Sequence, residues 1–225
     1  AAAPQMGNFN QLELANTIWA FATAEQPAPT LFEKFAQAAE PRLCAFKPQE
    51  LANAVWAFST AEQRAPELFS AVAHEARPRL RAFKAQELAN TAWAFAKAGQ
   101  SNAALFEVIA QAAELRLGEF KSQELASLVW AFATAEHRAP ALFEEVAQAA
   151  VSQMKEFSPQ AFANTVWAFA KAQQPAPVLF KVVAQAAEPQ LGDFTPQNLA
   201  NMAWAFAASE QRAPALFEAL ALAAA

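Results

Sequence analysis

The fold of this chain is decided by one stretch, Leu51-Ala-Asn-Ala-Val-Trp-Ala-Phe-Ser-Thr60, because close copies of it recur along the 225 residues. Each of the 6 tryptophans occupies the same place in one copy, and successive tryptophans are 37 residues apart without insertion or deletion. A fixed period between about 20 and 50 residues is typical of solenoids, propellers and other repeat arrays. The tryptophans are Trp19, Trp56, Trp93, Trp130, Trp167 and Trp204.

Phenylalanine follows the same period. One column lies two residues after each tryptophan, a second lies ten before it, and a third lies thirteen after it, and together they hold 18 of the 20 phenylalanines. The chain has only 4 glycines, no tyrosine and few β-branched residues, which argues against an all-β propeller. Its abundant alanine favours closely packed helices instead.

Residues 48–84 serve as the type repeat. Pro48 and Pro66 each stand where a helix is expected to begin, since proline is favoured in the first turn. Between them, Leu51, Val55 and Phe58 recur at helical spacing, which indicates an amphipathic helix. The repeat is therefore predicted to be a pair of helices joined by a short turn.

Two further signals mark helix ends. Asn10 followed by Glu13 resembles a capping box at a helix start. Pro78 interrupts the second helix of the type repeat, because a mid-helix proline removes a backbone hydrogen bond and costs about 3 kcal/mol. A kink or a short separate helix carrying Leu80 and Phe83 is expected there.

The predicted fold is all-α, a right-handed α-solenoid of 37-residue helix–turn–helix repeats that forms one array over residues 1–225. The register at the two ends suggests a piece of a longer array. The expected segments are a tail of a preceding repeat at 1–10, full repeats at 11–47, 48–84, 85–121, 122–158 and 159–195, and a truncated repeat at 196–225.

The tryptophan column is expected to be structural core. A buried tryptophan removes roughly 200 Å² from water, which is worth about 5 kcal/mol as an upper bound. Since each tryptophan shares a broad helix face with leucine and phenylalanine, core packing at the repeat seams is favoured over a role as a stacking platform for a ligand.

Nothing in the sequence forms a catalytic or metal-ligating group. Gln occupies the place of His74 and of His137 in other repeats, so both histidines are interpreted as solvated polar residues, and Cys44 is the single cysteine. The longest uncharged runs fall short of the ~18 apolar residues that a membrane span needs. We expect a non-enzyme without cofactor, metal, small-molecule substrate or membrane segment.

A polar stripe runs along the first helices. In the type repeat, Gln49, Asn53 and Thr60 project within about 40° of one another, and no acidic residue occupies these positions in any repeat. Amides can read base edges, and helical arrays can bind one nucleotide per repeat, but an amide ladder that holds the repeats in register explains the pattern equally well. The candidate RNA-binding residues are Asn16, Gln49, Asn53, Gln86, Asn90, Lys97, Gln123, Gln160, Asn164, Lys171, Gln197 and Asn201.

Charge offers mixed evidence for a nucleic-acid partner. The net charge of −5 is unlike that of a protein whose affinity comes from phosphate contacts. Basic residues nevertheless gather in the links from each second helix to the next first helix, where solvated loop charge is the simpler interpretation and a phosphate-binding rim is the alternative. The residues of that basic rim are Arg42, Arg77, Arg79, Arg81, Lys84 and Arg116.

The type repeat Phe46-Lys-Pro-Gln-Glu-Leu-Ala-Asn-Ala-Val-Trp-Ala-Phe58, followed by Ala65-Pro-Glu-Leu-Phe69 and Pro78-Arg-Leu-Arg-Ala-Phe83, resembles the octotricopeptide repeat (OPR) of algal and other protist proteins. That family is related to the RAP/FASTK-related helical-repeat RNA-binding proteins. The resemblance covers essentially the whole chain. It implies a sequence-specific RNA-binding solenoid that acts on transcript stability, processing or translation in a chloroplast or mitochondrion.

The expected function is therefore single-stranded RNA binding along the first-helix surface, with Asn and Gln reading bases and with Lys97, Lys171 and the basic rim holding phosphates. The alternative is a scaffold for protein partners without nucleic-acid binding, because the same alanine-rich helical surface could serve either role.

Overall fold

A computed structural model describes residues 5–223 of the chain. Within that range the backbone forms twelve α-helices and no strand, which confirms the all-α prediction for this part of the chain. The helices alternate between first and second helices of successive pairs. They are α1 Gln11–Thr23, α2 Pro29–Ala39, α3 Pro48–Thr60, α4 Pro66–Ala76, α5 Ala85–Lys97, α6 Ala103–Glu114, α7 Ser122–Thr134, α8 Pro140–Ser152, α9 Pro159–Lys171, α10 Pro177–Ala187, α11 Pro196–Ala208 and α12 Pro214–Ala223.

The helix starts follow the local signals in the sequence. At α1, Asn10 Oδ1 accepts from the Glu13 backbone N–H at 2.9 Å, and Glu13 Oε2 accepts from the Asn10 backbone N–H at 2.8 Å. This reciprocal pair is the predicted capping box. The hydroxyl of Ser158 caps α9, and that of Thr195 caps α11. Side-chain caps of this kind satisfy amide groups that the first turn leaves without a partner.

The segment after α4 confirms the effect expected from Pro78. A separate 3₁₀ helix, Arg77–Ala82, follows α4 directly and carries the fully buried Leu80, and the buried Phe83 comes next. Short 3₁₀ helices also follow four other second helices, at Glu40–Ala45, Leu117–Glu119, Met154–Glu156 and Glu188–Asp193. Each of them returns the chain to the start of the next first helix.

The chain divides into two compact units, Ala1–Ala112 and Ala113–Ala225. In the first unit α3 packs against both α1 and α5, and in the second unit α9 packs against both α7 and α11. Alanine allows this close approach: Ala57 and Ala94 are fully buried, and the Ser59 hydroxyl donates to the Ala94 carbonyl oxygen at 2.7 Å. Adjacent helical pairs packed in this way are consistent with a helical solenoid. Its handedness and its repeat boundaries stay predictions, and residues 1–4 and 224–225 of the predicted terminal segments lie outside the described range.

Phenylalanine pairs join consecutive helical pairs within each unit. A phenylalanine of one second helix meets a phenylalanine of the following first helix with ring planes 75–83° apart, the edge-to-face geometry that contributes about 0.5–1.5 kcal/mol beyond burial. The ring centroids lie 4.9 Å apart for Phe32–Phe58 and Phe69–Phe95, 5.0 Å for Phe143–Phe169 and 5.1 Å for Phe180–Phe206.

The six tryptophans lie at the edge of the core rather than inside it, which differs from the predicted position. None of them is among the buried side chains, and Trp19 and Trp204 are 43% and 45% exposed. The other four, Trp56, Trp93, Trp130 and Trp167, are half-buried. The reason is angular: at about 100° per residue, Trp56 lies roughly 140–160° around α3 from Leu51 and Phe58, which face the core. The phenylalanine pairs fill the buried part of the seams, and the tryptophans contact one another between neighbouring first helices nearer the surface.

Candidate nucleic-acid interface

Each first helix presents a polar and aromatic face. In α3 this face consists of Gln49, Asn53, Trp56 and Thr60, spaced at i, i+4, i+7 and i+11, so that all four lie on one side of the helix. We call the residues at these four positions of the six first helices the amide–tryptophan stripe. The other members are Leu12, Asn16, Trp19 and Thr23; Gln86, Asn90, Trp93 and Lys97; Gln123, Ser127, Trp130 and Thr134; Gln160, Asn164, Trp167 and Lys171; and Gln197, Asn201, Trp204 and Ala208.

The stripe amides face away from the core. Asn16 and all five stripe glutamines are exposed, and the other four asparagines are half-buried. Over residues 5–223, none of these amide side chains makes a hydrogen bond to another protein group. The amide-ladder interpretation requires such bonds between repeats. The stripe amides therefore keep their donors and acceptors available to a ligand.

The tryptophans form a row along the stripe in each unit. In the first unit, the Trp19 and Trp56 ring centroids lie 6.4 Å apart with planes tilted by 34°. In the second unit, Trp167 stands 6.4 Å from Trp130 at 30° and 6.3 Å from Trp204 at 38°. These separations fall within the 4.5–7 Å range of aromatic contacts. These rings are evenly spaced, each contacts a neighbouring ring, and each keeps part of its surface exposed to water.

The two stripe lysines are placed differently. Lys97 Nζ lies 5.0 Å from the centroid of the Trp93 ring, a cation–π contact that holds its charge beside the row. Lys171 Nζ lies 3.4 Å from Glu136 Oε1, with the two side chains 41% and 77% exposed. An ion pair this exposed contributes little stability and is readily exchanged for another anion. Both lysines are therefore open to a phosphate group.

The basic rim separates into structural and exposed residues. Arg79 donates from Nε to the Glu75 carbonyl oxygen at 2.8 Å and from Nη1 to the Phe46 carbonyl oxygen at 2.9 Å. Arg42 donates in the same way, to the carbonyl oxygens of Ala38 at 2.8 Å and Phe9 at 3.0 Å. This bonding corrects the phosphate-binding prediction for Arg42 and Arg79, because their guanidinium groups tie the 3₁₀ segment to the preceding repeat.

The repeat position of Arg42 and Arg79 supplies a side-chain donor to main-chain carbonyl oxygens, a role that the sequence analysis did not predict. Gln153 stands in the column of Arg42 and Arg79, and its Nε2 donates to the Phe120 carbonyl oxygen at 2.9 Å. Replacement of arginine by glutamine at a constant position is the signal that could have identified a main-chain donor, since a phosphate contact favours positive charge.

Three of the other four rim residues are more open. Arg116 Nη1 lies 4.0 Å from Glu119 Oε2, and Arg77, Arg81 and Lys84 have exposed side chains. These three exposed cations lie in the link between α4 and α5. They stay candidates for phosphate contacts in the first unit.

Comparison with known protein families connects this surface to RNA. Residues 2–224 match the model of a family described as RNA-editing substrate-binding complex 6 protein, or RESC6. The chain belongs to the RESC6 family. The match supports a helical, RNA-related protein, whereas the octotricopeptide part of the resemblance stays a prediction. No curated protein matches the chain.

The second helices of this RESC6-family chain carry a different surface. In the second unit an apolar groove of about 680 Å³ lies between α8 and α10, with Phe143, Val151 and Val178 among its lining residues. Val178 is 65% exposed. Apolar residues form most of the lining, beside Gln148 and Gln174, so the surface chemistry of the groove suits apolar side chains.

The absence of a catalytic or metal site stays a prediction. His74 is exposed, as predicted, whereas His137 is half-buried rather than solvated, with its ring edge-on to Phe132 at a centroid distance of 5.6 Å. Across the part of the RESC6-family chain that the structure describes, no three His, Cys, Asp or Glu side chains come together as metal ligands. None of the helices in that part combines the length and the apolar character needed to cross a membrane.

Proposed function

We propose that this RESC6-family chain binds single-stranded RNA along the amide–tryptophan stripe and thereby serves an RNA-editing substrate-binding complex. The observation that carries the proposal is the set of stripe amides that have no protein hydrogen-bond partner on a face without acidic residues. Family membership supports RNA as the ligand.

The chemistry of the stripe suits single-stranded bases. An Asn or Gln side chain offers a donor and an acceptor to one base edge, which is how helical repeats recognise unpaired bases one at a time. Lys97 and Lys171 stand four residues after the tryptophans of α5 and α9, where each can reach a phosphate. The chain acts by binding rather than by catalysis, and its resemblance to organellar repeat proteins favours a transcript of a chloroplast or mitochondrion.

The proposal is tested by removing the amides from three helices. Replacing Asn53, Asn90 and Asn164 together by serine should lower the affinity for single-stranded RNA by roughly 1–3 kcal/mol for each engaged amide. Melting should hardly change, because these amides bond to no other protein group. Ser127 occupies the same position in α7, so serine is compatible with the helix.

The matched control removes three exposed amides from second helices. Gln37, Gln148 and Gln185 are exposed, so replacing them by serine changes a similar amount of polar surface away from the stripe. Binding measured by fluorescence anisotropy should be unaffected by this triple change. If both triple variants bind RNA as the unaltered chain does, or if the unaltered chain binds no RNA at low salt, the proposal is wrong.

A second candidate function is a scaffold for protein partners, and the apolar groove between α8 and α10 favours it. A complex subunit can bind RNA on one face and protein on another. Val178→Glu places a charge in this groove, so loss of the chain from an assembled editing complex, with RNA affinity unchanged, would support the scaffold role. Full incorporation of that variant would contradict it.

A further inference from the structure

The amide–tryptophan stripe keeps part of its aromatic surface exposed to water. Side chains that fill the seams, such as Phe58 and Phe169, are at most 2% exposed. The six tryptophans, in contrast, all keep some surface in water: Trp19 and Trp204, on the outermost first helices α1 and α11, leave more than two fifths exposed, and the other four are half-buried. Tryptophan on a protein surface forgoes a large part of its burial energy and is enriched at the centres of binding sites.

The spacing of the rings matches unstacked bases better than stacked ones. Consecutive rings in the second unit stand 6.4 and 6.3 Å apart, and the first-unit pair stands 6.4 Å apart. This step is almost twice the roughly 3.4 Å rise between stacked nucleotides of one strand. A strand that followed the row at one nucleotide per ring would therefore have its bases separated and open to aromatic contact.

The surroundings of the rings fit the same ligand. Each tryptophan lies one helical turn after the Asn or Ser position and about two turns after the Gln position of its own helix, except that α1 has Leu12 in place of Gln. Lys97 lies over the Trp93 ring and brings a positive charge to the row. An aromatic plane, an amide at the base edge and a nearby cation are the three contacts that single-stranded RNA-binding surfaces combine.

We propose that the tryptophan row is the stacking platform of the RNA site, with the exposed part of each indole contacting one base and the neighbouring amide contacting the edge of that base. This inference rests on the proposed function and names the contacts that supply the affinity of the chain for RNA. Stacking tolerates all four bases, so the tryptophans supply sequence-independent affinity and the amides supply discrimination.

The first experiment needs no variant. The intact chain is titrated with a short single-stranded RNA of mixed sequence and with an abasic ribose-phosphate strand of equal length and charge, while tryptophan fluorescence and anisotropy are recorded. We expect the RNA to quench indole fluorescence and the abasic strand not to, and we expect an affinity for RNA at least 10-fold higher than for the abasic strand. A single-stranded DNA of the same sequence should quench similarly, because stacking does not use the 2′-hydroxyl.

The second experiment compares two exposed aromatic residues of the last helical pair. Trp204→Ala in α11 should weaken RNA binding by roughly 5- to 150-fold, the effect of losing one stacked base. Phe217→Ala in α12 removes a side chain that is 38% exposed and lies outside the stripe, and it should leave affinity unchanged. Trp204→Phe, which retains an aromatic face, should recover most of the binding.

The outcomes separate this inference from the proposed function. Equal affinity for RNA and for the abasic strand, with Trp204→Ala no weaker than Phe217→Ala, would overturn the stacking platform and leave RNA binding in place. Failure of the intact chain to bind either strand at low salt would overturn both. Quenching and weakened binding by Trp204→Ala, with melting similar to that of Phe217→Ala, would support the platform.

Discussion

At the scale of single residues, the turns between paired helices contain a regular backbone feature. One residue in each of these turns has a positive φ of 51–65°, and only Gly99 is a glycine. In α3 the turn closes with the Gln63 N–H donating to the Phe58 carbonyl oxygen at 2.9 Å, a bond typical of helix C-caps. The other five residues are Glu25, Glu62, Glu136, Gln173 and Glu210.

Removing a glycine from one of these positions should lower the stability of the fold, and introducing a glycine at another should raise it. A non-glycine residue in the left-handed region costs roughly 1–2 kcal/mol. Gly99→Ala should lower the free energy of unfolding by about 1 kcal/mol, although an added Cβ meets no atom within 4 Å. Glu25→Gly should raise it by up to about 1 kcal/mol.

Gly192→Ala is the control for this pair, since Gly192 has equally open surroundings and no positive φ. Denaturant unfolding should show it to be neutral or slightly stabilising, because alanine restricts the unfolded chain. Destabilisation by Gly192→Ala equal to that of Gly99→Ala would contradict the conformational argument.

Replacing Arg79 and replacing Arg81 should have different effects, the first on stability and the second on RNA binding. Arg79→Ala removes side-chain donors to the carbonyl oxygens of Glu75 and Phe46 and should cost about 1–3 kcal/mol of stability, whereas Arg79→Gln should cost less because Gln153 performs the equivalent role. Arg81 is exposed, so Arg81→Ala should leave melting unchanged. If Arg81 contacts a phosphate, its replacement lowers the salt dependence of RNA binding by about 0.7 in log–log slope. A loss of stability in Arg81→Ala together with unchanged melting of Arg79→Ala would contradict the structural role of the Arg79 hydrogen bonds.

At the scale of the helix, the two aromatic columns of a first helix have different roles. In α9, Phe169 is 1% exposed and meets Phe143, while Trp167 is half-buried on the stripe. Phe169→Ala should therefore cost about 3–5 kcal/mol, and Trp167→Ala should cost about 1–2 kcal/mol because it loses ring contacts without opening a core cavity. Chemical denaturation measures the free energy of unfolding of both variants. Equal losses would mean that the tryptophan contributes to the core as much as the phenylalanine does.

At the scale of the whole molecule, the net charge of −5 limits how much phosphate contacts can contribute. The open candidates are Arg77, Arg81, Lys84, Lys97 and Lys171. At about 0.7 per neutralised phosphate, the plot of log affinity for single-stranded RNA against log salt should be no steeper than about −3.5. Titrations over a salt series measure this slope. A value beyond about −5 would mean that loop cations outside this group also contact the strand.

The sequence by itself determined the helical architecture of the described residues. The 37-residue period, the first-turn prolines and the caps at Asn10, Ser158 and Thr195 are local signals, and they act within a few residues of backbone. The break after α4 could be predicted from Pro78 for the same reason. The position of the polar stripe was also accessible, because helical periodicity places Gln49 and Asn53 on one face.

Tertiary packing alone decided which side of each first helix lies against its neighbours. The tryptophan stands at the edge of a broad apolar arc. Only the observed packing of α9 between α7 and α11 shows that Phe169 is fully buried and that Trp167 stays half-buried. The roles of Arg42 and Arg79 likewise depend on carbonyl oxygens about one repeat away along the chain. Periodicity specifies the direction of a side chain around its own helix, whereas burial and hydrogen bonding depend on the atoms that other helices bring to that side.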